Sequence, residues 1–273
     1  MTVPRTRNAV QAVLAAHGLA PRRMRGQNFL CDGNLIDAIA RDAGVGPEHA
    51  VLEVGTGTGI LTDALADRAG AVVSCDVDTR LQSMARGLRA WPDTVRFLEA
   101  DVLRNKRTLE PAVVDAWQKA PGTPIVVSNL PYNIATPFLA SLLWSGLPCA
   151  SMTVLVQKEA AERFTAPVGT ADYGPMAIAV ALLGEARIVR DVPPQVFWPQ
   201  PKVDSAVLRI ETHDRARAAD WAELPALLQR CFLHRRKMLR KSVDAARLEQ
   251  AGLAADVRPE QVPPAVWPTL LGA

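Results

Sequence analysis

Aromatic residues are scarce in this chain. Phe, Trp and Tyr together make up 5% of its 273 residues, and only two of them are Tyr. An aromatic ring inside a motif therefore stands out against a thin background. Cysteine is as sparse: Cys31, Cys75, Cys149 and Cys231 form no C-x-x-C pair, and the four His, at 17, 49, 213 and 234, show no ligand spacing. These gaps argue against a disulfide framework and against a zinc site, so no metal is expected. Reduced thiols fit a cytoplasmic protein. No apolar run approaches the roughly 20 residues that a membrane-spanning helix needs. The N-terminus lacks the apolar core of a secretory signal. Its Arg-rich, acid-free start also fits a mitochondrial transit peptide, but the serine typical of one is missing.

What is present is ordinary globular material, 49% hydrophobic and 22% charged, with length for one large domain or a large and a small one. The net charge of +3 decides little; its distribution says more. Met1 to Cys31 holds no acid but carries Arg5, Arg7, Arg22, Arg23 and Arg25. The run RCFLHRRKMLRK, from Arg230 to Lys241, holds six Lys or Arg and no acid. Each run alone reads as a solvated face or a polyanion contact; two in one chain favour the polyanion.

Apolar periodicity predicts helices over 8–17 and 34–43. After them, short apolar runs alternate with helical stretches. Strands are expected over 50–55, 71–78, 94–101, 124–129, 150–157 and 205–211, with helices over 58–70, 79–88 and from 158. This order predicts an α/β fold with a parallel sheet covered on both faces and ligands at the carboxyl ends of its strands. Those ends carry Glu53 and Gly55, Asp76 and Asp78, Asp101, and Asn129. The proline-rich stretch 192–204 cannot be an α-helix. Beyond residue 212 only helical patterns follow, which predicts a small all-α domain over 212–273. The large domain then spans 1–211, with 1–25 as a basic extension.

EVGTGTG (53–59) lies between a strand and a helix. It resembles a dinucleotide loop without its last spacing, and no Lys-Ser/Thr follows it as a Walker loop requires. Asp76 is well placed to accept both hydroxyls of a ribose, whereas Asp78 could simply cap the next helix. Asp101 can accept from an adenine amino group. Glycine loop, ribose acid and adenine-facing acid are the order used by S-adenosylmethionine (SAM) methyltransferases. A nicotinamide dehydrogenase shares the first two features but has no use for the N-x-P-Y corner at 129–132. That corner resembles the motif of methyltransferases acting on the exocyclic amine of adenine or cytosine. The amine is a poor nucleophile, and two acceptors aimed at its N–H groups favour attack. The Asn129 side chain is one acceptor and the backbone carbonyl of Leu130 or Pro131 the other. Tyr132 offers a ring for a flipped base. A strand-end turn with a buried Tyr is the plain alternative, and Asn133 reads as a cap of the next helix.

GQNFL (26–30), LEVGTGTGILT (52–62), NLPYNIATPFL (129–139), VQKEAAERF (156–164), DYG (172–174), VPPQVFWPQPKVDSAV (192–207) and HRRKMLRKSV (234–243) occur in the order and spacing of the KsgA/RsmA family, the ribosomal small-subunit RNA adenine dimethyltransferases. The likeness covers about 19–245. It implies a Rossmann-like SAM-dependent methyltransferase sheet with a small C-terminal all-α domain. It implies SAM as cofactor and dimethylation of two adjacent adenines near the 3′ end of small-subunit (16S) rRNA. The partner implied is a small-subunit precursor met by a monomer, with no membrane involved. Position by position, Asn28 and Leu30 resemble a lid over SAM, and Gly55 approaches its amino-acid end. Asp76 meets the ribose and Asp101 the adenine ring. Asn129, Pro131 and Tyr132 resemble the catalytic corner, with Pro131 favoured for the carbonyl, and Phe197 resembles a second aromatic clamp. Arg235, Arg236, Lys237 and Arg240 resemble the rRNA-facing stretch. Each has a plainer reading: Asn28 as a helix cap, Leu30 as core, Phe197 packed on the prolines, the basic run as a solvated face. Asp76 stands where the family usually has Glu. Two rivals remain: the resistance enzymes that dimethylate an adenine of large-subunit rRNA, and a non-catalytic assembly factor that kept the fold.

Overall fold

The structure, a computed structural model, describes residues 3–22, 26–213 and 221–271. Arg23 and Arg25 of the N-terminal basic run lie outside the described residues. Helix α1 (Arg7–Ala16) is capped by the Thr6 hydroxyl, and α2 (Gly33–Asp42) by the Asp32 carboxylate, each supplying an acceptor for a backbone N–H that the helix leaves unpaired. Between them lies the two-residue strand β1 (Phe29–Leu30). Then come β2 (His49–Val54), α3 (Ile60–Ala66), β3 (Ala71–Asp76), α4 (Thr79–Gly87) and β4 (Val95–Glu99). A short hairpin, β5 (Leu103–Asn105) with β6 (Thr108–Leu109), precedes α5 (Pro111–Gln118), β7 (Thr123–Asn129) and α6 (Tyr132–Trp144). The sheet-bearing part closes with β8 (Ser151–Gln157), α7 (Lys158–Thr165), α8 (Pro175–Leu183), β9 (Gly184–Val192), β10 (Phe197–Trp198) and β11 (Ser205–Thr212).

Seven strands form one sheet in the order β4-β3-β2-β7-β8-β11-β9. Successive side chains along a strand face opposite layers. Leu52, Val54 and Val126 enter the apolar layer under α5, α6 and α8, whereas Val51, Ile125 and Val127 enter the layer under α2 and α3. Both faces are thus covered, which is why these strands read as unbroken apolar runs.

The expectation of a parallel sheet holds for the five strands β4, β3, β2, β7 and β8 and fails at β11, the one reversed strand among the described residues. Strand β11 runs antiparallel to both β8 and β9. Strand β9 carries no clear apolar alternation because it is an edge strand with most of its side chains in contact with water, and periodicity offers nothing to read there. The glycine loop also delays helix α3: Gly59, at φ +77°, is its N-cap, so the helix starts at Ile60.

The C-terminal part is helical, with α9 (Leu224–Leu233), α10 (Ala245–Gln250) and several 3-10 turns. Within the helical pattern beyond residue 212, the segment KMLRKSV (237–243) forms only a single 3-10 turn, Leu239–Lys241. Its core is not self-contained. Leu224, Leu228, Cys231, Trp267 and Leu270 pack with Tyr173, Ala177 and Ile178 of the sheet-bearing part. Tyr173, from the DYG motif, donates its hydroxyl to the Val262 carbonyl at 2.7 Å and meets Phe232 edge-on at 6.2 Å. The motif is a docking pin between the two parts.

Candidate active site

Strand order reverses between β2 and β7. From β2 the chain steps outward through β3 and β4, then returns to lay β7 along the other edge of β2. Loops leaving the two strands diverge at such a point and open a crevice beyond their carboxyl ends. Gly55 follows β2 and Asn129 ends β7, so both stand at this crevice. Gly55 adopts φ +89°, and a Cβ on it would lie 3.4 Å from Pro131 Cδ. Only glycine takes that backbone angle freely while touching the neighbouring loop. Gly57 donates its N–H to Asp76 Oδ2 at 2.9 Å, and Asp78 N–H donates to Asp76 Oδ1 at 2.8 Å. The short arm of Asp76 is thereby fixed between two backbone segments.

Gly55, Asp76, Asn129, Pro131 and Tyr132 line one cavity of about 80 Å³, and Asn28 lines it from the segment before β1. A neighbouring space of about 30 Å³ is lined by Leu30, Glu53, Gly55, Thr58 and Asn129. The Thr58 hydroxyl is buried without a partner among the described residues. An orphaned hydroxyl, a glycine cradle and a carboxylate fit the amino-acid end and the ribose of SAM. Both spaces are far below the ~300 Å³ or more that a ligand of that size fills, so one wall has to yield to admit it.

The target side of the cavity is the corner itself. The Asn129 amide makes no hydrogen bond among the described residues. Pro131 does not serve as expected: its carbonyl accepts the N–H groups of Ile134 at 3.0 Å and Ala135 at 3.1 Å. As the N-cap of α6 it is saturated by the first helical turn. The Leu130 carbonyl accepts none among the described residues, and Leu130 lines the cavity, which leaves that carbonyl open to a donor. Tyr132 holds Ser205 Oγ at 2.7 Å through its hydroxyl. Burial pushes its phenol above the ordinary range against that hydrogen bond, so it stays protonated. Asn133 is not a cap; it lies inside the first turn of α6.

Several expected residues stand elsewhere. Asp101 is exposed, and its carboxylate accepts the Leu103 N–H at 2.9 Å, starting the β5–β6 hairpin; it lines neither cavity. Phe197 is 1% exposed, paired across strands with Leu30 in the α2–α3 core layer, so it presents no open face to a base. The Leu30 side chain belongs to the same layer. Asn28 does not cap α2; Asp32 does, and Asn28 donates to the Gly26 carbonyl at 3.3 Å. In the basic stretch Arg236, Lys237 and Arg240 are exposed. Arg235 differs, since its guanidinium binds the carbonyls of Ala171 and Thr170, just before the docking Tyr173. Arg5 is likewise paired, with Asp37 at 3.3 Å and Asp63 at 3.1 Å.

Residues missed by sequence reasoning complete the site. Glu53 is buried beneath the glycine loop and accepts the hydroxyls of Thr62 at 2.5 Å and Ser74 at 2.6 Å. Ser74 commits its one proton there, so Thr56 donates to Ser74 at 2.6 Å, and Gln82 donates to Thr56 at 3.3 Å and to the Leu98 carbonyl at 2.8 Å. Asp78, read as a helix cap, makes no cap bond. Burial opposes its charge, but hydrogen bonds from Arg80 and Gln27 and the charge of Arg22 outweigh it and hold the carboxyl below its ordinary value. Arg22 and Arg80 are 43% and 48% exposed, so each pair is worth only about 0–1 kcal/mol.

Burial pushes the Glu53 carboxyl up to about 8, against the pull of Ser74 and Thr62. Native Glu53 thus holds its proton where the unfolded chain, at about 4.5, has lost it. The contribution to stability is full below about pH 4.5 and is lost as pH rises toward 8. Glu53→Gln cannot ionise. In urea titrations the wild type should lose stability relative to this variant between about pH 5 and about pH 8, by on the order of 4 kcal/mol. Parallel pH profiles for the two would show that Glu53 is ionised in the native state.

A sequence profile of the family described as ribosomal RNA adenine dimethylase matches residues 19–262. A curated relative from Mesorhizobium japonicum, named ribosomal RNA small subunit methyltransferase A, is 39% identical over 258 residues, 91% of each chain. Among solved structures, a dimethyladenosine transferase from Plasmodium falciparum superposes with a TM-score of 0.73 at 24% identity, over 89% of this chain and 96% of that one. The 23S rRNA methyltransferase ErmE gives 0.61 at 28% identity, over 89% and 98%. The first likeness shows the shared fold, and the second that a 23S rRNA methyltransferase has it too. With the profile spanning most of the chain, and a curated relative of this identity covered nearly end to end, this protein belongs to the ribosomal RNA adenine dimethylase family.

Proposed function

We propose that this protein dimethylates the N6 amines of two adjacent adenines near the 3′ end of small-subunit (16S) rRNA, with SAM as methyl donor, during ribosome biogenesis. One observation carries the reading: Asn129 and Leu130 share a cavity with Gly55 and Asp76 at the strand-order reversal. Bound there, SAM supplies a methyl group on a sulfonium. Asn28, Gly55, Asp76 and Asn129 hold it, with Leu30 and Thr58 around the smaller space. The Asn129 side-chain oxygen accepts one N–H of the adenine amine and the Leu130 carbonyl the other. Two acceptors pull the amine toward a tetrahedral geometry and free its lone pair for in-line attack. Tyr132 gives a ring to stack on the flipped base, and Ser205 fixes that ring through its hydroxyl. Asp101 offers the adenine amino group the carboxylate oxygen that the Leu103 N–H leaves it, and Phe197, buried, receives no role.

Residues 1–211 form the catalytic domain, with 1–25 as its extension, and residues 212–273 the small RNA-binding domain; the last strand, which ends at Thr212, supports a division there. Arg236, Lys237 and Arg240 meet phosphates of the small-subunit precursor. The protein works as a cytoplasmic monomer.

The decisive assay incubates labelled SAM with purified small and large ribosomal subunits. Dimethyladenosine is expected from small-subunit rRNA; label confined to the large subunit would overturn the reading. Asn129→Ala should lower kcat by about 10²–10³-fold and SAM affinity far less, whereas equal losses in both would remove its role at the amine. Reversing the charges of Arg236 and Lys237 should weaken subunit binding and flatten its salt dependence by about one unit of log–log slope for each phosphate no longer neutralised. An unaltered salt slope would take the RNA away from this face.

A further inference from the structure

Asp78 takes no part in the chemistry above, yet its side chain is only 4% exposed. It stands at the N-cap position of α4 without capping it. Its Oδ2 instead accepts from Gln27 Nε2 at 3.4 Å and faces Arg22 Nη1 at 3.8 Å, while Oδ1 accepts from Arg80 Nε at 3.4 Å. The Gln27 amide oxygen in turn accepts the Arg22 N–H at 2.8 Å.

Gln27 belongs to the segment Gly26–Phe29, which lines one side of the main cavity, while Asp76 and Val77 line another. Because Asp78 N–H is bound to Asp76 and Asp76 to Gly57, hydrogen bonds run without a break from the cofactor loop across the cleft to Gln27. The cavity is too small to admit a SAM-sized ligand as it stands. Gly55 and Asn129 sit at the ends of core strands, and α6 is anchored by Phe138, Leu139 and Leu142 in the core. Gly26, Gln27 and Asn28 lie in irregular backbone with partly exposed side chains. The wall that yields is therefore the one Asp78 holds.

We propose that Asp78 is a positioning residue, a latch that ties Gly26–Phe29 across the cofactor cleft and sets how fast SAM and S-adenosylhomocysteine exchange. This rests on the reading that the cleft holds SAM. The latch bonds are long and two of their donors reach into water, which suits a contact that must break in every turnover.

The test uses the full-length protein and two readouts: amide hydrogen exchange without ligand, and S-adenosylhomocysteine release by stopped flow. In Asp78→Ala, exchange over residues 26–29 and ligand release should each speed up by about tenfold, the loss expected for one hydrogen bond to a charged group. Exchange over β7 and α6 should not change. Gln27→Ala should act in the same direction, and the double variant should do no more than Asp78→Ala alone, because both break the same hydrogen bond. Unchanged rates in both variants, or effects that simply multiply, would overturn the latch. If Asp78→Ala does not fold, Gln27→Ala, altered on the irregular segment outside the sheet, decides alone. If the wild type binds no S-adenosylhomocysteine, the cofactor reading fails, and the ligand-free exchange measurement still judges the latch.

Discussion

The contact between Gly55 and Pro131 is the constraint on which the site depends. Two strand ends that diverge at a switch point have to be brought within van der Waals distance before a donor bound to one loop meets an acceptor bound to the other. A glycine at φ +89° achieves this, with room for no more than a Cβ at 3.4 Å from the proline ring. Any other residue would need a strained backbone angle, and atoms beyond a Cβ would press on the corner. In-line transfer tolerates little misplacement, since alignment supplies most of its rate.

A loop of glycines is entropically costly to hold still, and the polar cluster beneath it provides the restraint. Glu53, Thr62, Ser74, Thr56 and Gln82 join β2, α3, β3 and α4 through hydrogen bonds shielded from water. A buried carboxyl is destabilising unless it is neutral or well paired. Here it has hydroxyl partners and a raised pKa, which leaves a stiff support under the loop that Asp76 grips from the other side. The loop thus has two carboxyls with different places: Glu53 buried below it and Asp76 lining the cavity.

Several motif residues proved architectural. Tyr173 pins the helical part to the sheet-bearing part, and Arg235 holds the loop in front of that pin. Arg5 fastens the N-terminal segment to α2 and α3 through Asp37 and Asp63. A basic or aromatic residue in a linear motif carries no mark of whether it faces a phosphate or a carbonyl of its own chain. For the cations, exposure separates the two cases, leaving Arg236, Lys237 and Arg240 open to solvent.

The sequence by itself determined the α/β class, the central strands and the identity of the corner, because apolar runs of strand length and glycine or acid at their ends are local signals. It also determined the cofactor, through the order of glycine loop and acids. Only the tertiary structure revealed β9, because an edge strand half in water has no apolar pattern to read, and with it the reversal of β11 between β8 and β9. Only the fold could show that the Pro131 carbonyl is consumed while Leu130 lines the cavity, since that depends on where α6 begins and which carbonyl its first turn takes. The roles of Asp78, Ser205 and Phe197 were hidden for the same reason. Their partners, Gln27, Tyr132 and Leu30, lie dozens of residues away or more, and a hydrogen bond or a buried face between distant segments exists only once the chain has closed on itself.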